Sequence, residues 1–268
     1  MSSAALTLAL AAAVLHAGWN LLLARARDVQ AATAVVLGLS LILFAPVAAV
    51  TWDVEWEVWP YALGSGVFEL AYIALLAYAY THAELSVVYP VARGLAPVFV
   101  LAATFGSVDG VAAAGVLLVA LGVLFVRGVR EPDRRALTLG LLIAGCIAAY
   151  TLFDNRGIEH ADPFGYLELV VGVPGLAYLA WVWQRRGRSA LRAELGPATV
   201  IAALASFGAY ALVLLALDRA EAAPVAAVRE TSVVIAVALA AFFLRERVGW
   251  ARLAGAALVV AGVALLSF

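Results

Sequence analysis

The sequence contains no lysine, one cysteine and one methionine, and only 13% of its 268 residues are charged. Without Lys, every fixed positive charge is an Arg, and the formal net charge of −1 offers no basic face for nucleic acid. A lone Cys146 excludes a disulfide framework and a multi-cysteine metal site. In its apolar surroundings it reads as a small core residue. No nucleotide-binding loop, metal-ligand cluster or Ser/His/Asp arrangement stands out, so neither an enzyme nor a bound cofactor is expected. What remains is 66% hydrophobic. A soluble domain of this length is nearer half apolar and a quarter charged, and a single globule of this size could not hide that much apolar surface.

The apolar residues fall into runs of the length a helix needs to cross hydrocarbon. The sequence predicts spans at 3–24, 30–51, 59–81, 85–105, 110–127, 136–155, 162–184, 197–217, 222–243 and 250–267. The first lacks a basic segment before it and reads as a retained helix rather than a signal peptide. Connections are short and polar, as at 127–135 and 184–194, and leave no room for an inserted soluble domain. Trp52, Trp56, Trp59, Trp181, Trp183 and Trp250 fall near span ends, where an aromatic belt belongs. The runs lack the alternation of a transmembrane barrel. The expected fold class is therefore an all-α integral membrane protein of ten transmembrane helices.

A repeat is visible at half the chain length. His16-Ala17-Gly18-Trp19-Asn20, followed by Asp28, aligns with Tyr150-Thr151-Leu152-Phe153-Asp154, followed by Asp162. Ala83-Glu84 matches Ala220-Glu221, and Gly115 and Gly122 match Gly255 and Gly262. Five spans per repeat is odd, so residues 1–130 and 131–268 are expected to form two inverted five-helix repeats. In that plan substrate sits near the midplane between the halves. Loop Arg residues crowd one side, with only Arg156 and Arg219 on the other. The crowded side should be cytoplasmic, which places both termini in the periplasm and the chain in the inner membrane.

A charge at helix centre costs about 2.5–3.5 kcal/mol on insertion scales, so each one asks for a reason. Glu69 lies about ten residues into its span, roughly 15 Å deep. Arg93, Arg229 and Glu230 lie at similar depth, Glu168 is shallower, and His16 and Asn20 share a helix face. Arg93 and Arg229 hold nearly equivalent places in the two repeats, each after a Pro (Pro90, Pro224) that can bend its helix. Inversion would set Arg93 toward the cytoplasmic end of a cavity and Arg229 toward the periplasmic end. Two guanidinium groups on one path suit a carboxylate or phosphate. The structural alternative pairs Arg93 with Glu69, and Arg229 with Glu230 or Glu168. Glu69 and His16 are candidates for proton coupling. Tyr72, Tyr78 and Tyr80 read as packing residues, and Gly64, Gly66 and the paired glycines as close-packing positions.

The closing segment Phe242-Phe243-Leu244-Arg245-Glu246-Arg247, with Gly255-Ala256 and Gly262-Val263, resembles that of EamA-type domains in the drug/metabolite transporter superfamily. His16 to Asn20 is similar to a first-helix pattern of that group, and Tyr89-Pro90 through Ala96-Pro97 to its fourth helix. The first half departs where Gly106-Ser107-Val108-Asp109 replaces Leu-x-Glu-Arg. The resemblance implies a secondary transporter of small organic solutes, often an exporter of amino acids or other metabolites. It also implies a cavity on helices that hold His16, Asn20, Glu69, Arg93, Asp154, Arg229 and Glu230. The expectation is an alternating-access carrier of an anionic or zwitterionic solute, bedded in membrane lipid as a monomer or homodimer. The rivals are an exporter of lipophilic cations using Glu69, and a lipid-headgroup flippase.

Overall fold

The computed structural model describes residues 1–127, 133–244 and 249–267. Arg130 and the Arg245-Glu246-Arg247 part of the closing motif lie outside them. The described chain is helical, with one isolated β-bridge between Val54 and Ala161. Its helices are α1 (Ser3–Leu23), α2 (Val29–Thr51), α3 (Trp59–His82), α4 (Leu85–Ala103), α5 (Gly110–Arg127) and α6 (Arg134–Gly157). They continue with α7 (Pro163–Ala193), α8 (Pro197–Leu217), α9 (Ala222–Arg229), α10 (Thr231–Leu244) and α11 (Trp250–Leu266). Among the described residues, seven helical segments, α9 and α10 counted as one, are long and apolar enough to cross a membrane. Three shorter apolar helices accompany them. The six tryptophans near span ends are all exposed.

Two boundaries differ from expectation. The ninth span is divided at Glu230: Glu230 N–H bonds the Ala227 carbonyl and Val233 N–H bonds Glu230, both tight i−3 contacts. The Thr231 hydroxyl takes the Val228 carbonyl at 2.8 Å, competing with the helical bond. Pro224 sits in the first turn of α9, where the helix has no N–H bond to lose, so it does not cause the break. α7 runs on beyond 184 and turns at Gly187 (φ 79°, ψ 169°), a conformation that favours glycine.

Spans pack antiparallel. Gly115 of α5 faces Gly262 of α11, and Gly122 faces Gly255. A Cβ on Gly122 would stand 2.6 Å from the Gly255 carbonyl oxygen, and one on Gly255 2.6 Å from that of Gly122. Only glycine permits such backbone contact. α2 lies antiparallel to α7, joined at one end by Thr51 Oγ1 donating to Asp162 (2.8 Å) and at the other by Arg186 donating to Gln30 (3.0 Å). α1 packs on α8, α3 on α6, and α4 on both α6 and α9. The polar centre of the bundle sits where α1, α3, α4, α6, α8 and α9 converge.

Asp28 and Asp162, matched in the sequence, are both N-caps. Asp28 accepts from the Gln30 and Ala31 N–H groups, Asp162 from those of Phe164 and Gly165, at 3.0–3.1 Å. Asp109, where the first half departs from the EamA pattern, caps α5 by accepting from Val111 and Ala112 at 2.8 Å. These carboxylates satisfy the orphan donors of helix starts.

Candidate functional site

Arg93, Arg229 and Glu230 are buried to 5%, 7% and 0% exposure. Arg93 projects from α4, whose interior prolines remove backbone donors at Pro90 and Pro97. Arg229 ends α9, and Glu230 occupies the turn before α10. The Arg93 Nε lies 2.8 Å from Glu230 Oε2 in a buried ion pair. A second Arg93 nitrogen donates to Ser232 Oγ at 3.4 Å. Neither sequence-based pairing is made at contact distance: Arg93 takes Glu230 and not Glu69, and Arg229 has no carboxylate within 4 Å among the described residues, though Glu230 stays within its electrostatic range. Both arginines lie within electrostatic reach of His16. The offset of 137 that carries Ala83-Glu84 onto Ala220-Glu221 carries Arg93 onto Glu230, so the two matched positions bear opposite charges.

Arg229 has different company. One terminal nitrogen donates to Tyr150 Oη at 3.3 Å, and the guanidinium carbon stands 5.9 Å from the Tyr150 ring centroid. Among the described residues no carboxylate lies within 4 Å of it, and its buried Nε has no acceptor. Glu69, half-buried on α3, has one buried oxygen without a partner. Arg229 and Asp154 are its charged neighbours at longer range. Asn20 donates its side-chain N–H to the His16 carbonyl at 2.7 Å, so that donor is held by its own helix. Thus His16, Glu69, Arg93, Arg229 and Glu230 come together. Glu168, half-buried with an unpartnered Oε1, stands outside this group.

Asp154, 1% exposed on α6, accepts from Ser65 (2.5 Å), Tyr166 (3.1 Å) and Tyr210 (2.6 Å). These donors come from α3, α7 and α8, so one carboxylate ties four helices. Three hydroxyl donors match the acceptor-only character of an ionised carboxylate. Tyr150 also stacks edge-on with Tyr72 at 6.3 Å and lies 6.5 Å from the Tyr210 ring. Sequence reasoning placed Asp154 through family resemblance alone and missed Ser65, Tyr150, Tyr166 and Tyr210. A signal existed for Tyr150, which holds the place of His16 in the internal match. The others carry no sequence mark beyond a polar tip in an apolar run.

A helical, multi-pass membrane protein with a charged centre converging from six spans has the build of a membrane transporter. The EamA-like transporter family matches residues 134–268, and the chain belongs to it. That membership makes it a membrane transporter of small molecules. A solved crystal structure, described only as "Crystal structure of protein", is similar in fold. It has a TM-score of 0.74 at 18% identity, over 99% of this chain and 96% of that one. No curated protein matches the chain.

Proposed function

We propose that this chain is a secondary carrier, working as an exporter, for small organic solutes that bear an anionic group, amino-acid-like or otherwise zwitterionic or anionic. The observation that carries the reading is the gathering of His16, Glu69, Arg93, Arg229 and Glu230 inside one bundle. Charges at such depth are costly unless they serve the path. Guanidinium groups at that depth suit the planar anionic group of a carboxylate or phosphate. Asn20, beside His16, contributes its remaining carbonyl. Glu69 and His16 are the groups to exchange protons with either side. Residues 1–130 and 131–268 act as inverted halves that rock about this centre. The antiparallel seams of α2 with α7 and α5 with α11 support that arrangement. The carrier resides in the inner membrane with both termini periplasmic, as a monomer or homodimer among lipid, and a gradient drives it without a cofactor.

One observation favours a second reading. Glu69 has no Arg within 4 Å among the described residues, which is what an exporter of lipophilic cations would require. Thermal unfolding of detergent-purified protein with succinate, L-alanine, inorganic phosphate or tetraphenylphosphonium separates the two. Ligand at a hundred times its Kd adds about 2.7 kcal/mol of stability. A response to the anionic or zwitterionic probes supports the carrier. A response to tetraphenylphosphonium alone, lost in Glu69→Gln, refutes it.

A further inference from the structure

We propose that the two buried arginines have separate tasks: Arg229 receives the carboxylate or phosphate group of the solute, and Arg93 is a fixed joint between the halves. The assignment rests on the carrier reading above and goes beyond it by naming one receptor residue. Arg93 is neutralised in place by Glu230 at 2.8 Å and further held by Ser232. A ligand anion there would have to displace an existing buried carboxylate. Arg229 is equally buried but has no carboxylate within 4 Å among the described residues, and its Nε has no acceptor, whereas the Arg93 Nε has Glu230 Oε2 at 2.8 Å. A buried guanidinium left in that condition is a standing demand for an acceptor. Tyr150 meets it only in part, through a 3.3 Å hydroxyl contact and a ring 5.9 Å away. Both contacts steady the planar group while leaving an N–H unpaired, which is how an Arg is readied for a planar anion.

The unfilled capacity also has a direction. Glu69 presents a buried, unpartnered oxygen within electrostatic range of Arg229. An unpartnered acceptor and an unpartnered donor would suit a small molecule that carries both an anionic group and an ammonium or hydroxyl group. In the Arg93–Glu230 pair each charge already faces its opposite at 2.8 Å, although Glu230 Oε1 too lacks a hydrogen-bond partner.

The test compares Arg229→Gln with the double variant Arg93→Gln/Glu230→Gln, which removes the pair without stranding a charge. Each is purified, checked for monodispersity, and measured by thermal shift with succinate, L-alanine and inorganic phosphate, and by uptake of the responding probe into proteoliposomes. Arg229→Gln should weaken the probe response by about tenfold or more, and by at least about threefold more than the double variant does. Arg229→Lys keeps the charge and loses the planar fork; it should respond less than wild type, and it serves if Arg229→Gln fails to fold. An undiminished response in Arg229→Gln or Arg229→Lys, or equal loss in the double variant, overturns the division while the carrier reading stands. A wild-type protein that responds to none of the three probes overturns both.

Discussion

Asp28 and Asp162 cap α2 and α7 in the same geometry, and Gly115 and Gly122 meet Gly262 and Gly255 across a seam that each side builds alike. At the centre the matched positions diverge. His16 stands opposite Tyr150 in the match, Asn20 opposite Asp154, and Arg93 opposite Glu230. Asn20 turns back to its own helix, while Asp154 binds three hydroxyls from three other helices. The framework of the two halves is therefore held by geometry, which both must satisfy. The centre faces no such demand, and its matched positions carry different chemistry: His16, Asn20 and Arg93 on one side of the match, Tyr150, Asp154 and Glu230 on the other.

The largest test of this contrast is Glu230→Gln. It leaves Arg93 buried without its counter-ion and should cost about 3–5 kcal/mol of stability, most of it restored in Arg93→Gln/Glu230→Gln. Intrinsic fluorescence during thermal unfolding reads both, and a silent Glu230→Gln would mean that the pair is not a joint. On the framework side, Gly122→Val should cost about 1–3 kcal/mol by forcing α5 from α11. Gly145→Ala, with nothing within 4 Å of the added methyl, should be close to neutral in the same assay. Equal effects would show that the seam is looser than its 2.6 Å approaches. The caps come next: Asp28→Ala should lose about 1 kcal/mol. Asp162→Ala should lose more in the same measurement, because it also holds Thr51 Oγ1 at 2.8 Å and the Asp53 N–H at 3.3 Å. Tyr210→Phe, which removes one of the three donors to Asp154, should also cost about 1 kcal/mol. Trypsin resistance of the folded protein checks it, with Tyr61→Phe, outside the cage, as the reference.

Span positions were legible because a bilayer imposes a length on apolar runs. α1, α2, α5, α6, α8 and α11 begin and end within about two residues of expectation. Hydropathy is blind to hydrogen-bond competition inside an apolar run, so it passed over the interruption at Glu230. It also could not see α7 continuing past Gln184, through the Gly187 turn, to Ala193. In the site, depth alone found Glu69, Arg93, Arg229 and Glu230, since burial of charge is costly wherever it occurs. Partners were another matter. The pairing of Arg93 with Glu230 depends on where α4 meets α9, and it was readable only from the 137-residue offset, not from the nearness of Arg229 in sequence. Tyr166 and Tyr210 had no such mark, because a phenol is common in packed helices and only its hydroxyl contact with Asp154 sets these apart.

The central claim is that the two halves move about this charged centre. Spin labels at Glu57 and Asp218, at one end of the bundle, and at Glu84 and Ala198, at the other, each join the first half to the second in exposed positions. With Cys146 replaced by Ser, double electron–electron resonance would read both distances in lipid nanodiscs, with and without the probe that stabilises the protein. The account predicts opposite changes, one pair lengthening as the other shortens, and loss of the response in Arg229→Gln. Two distances that stay fixed, or that lengthen together, would contradict it.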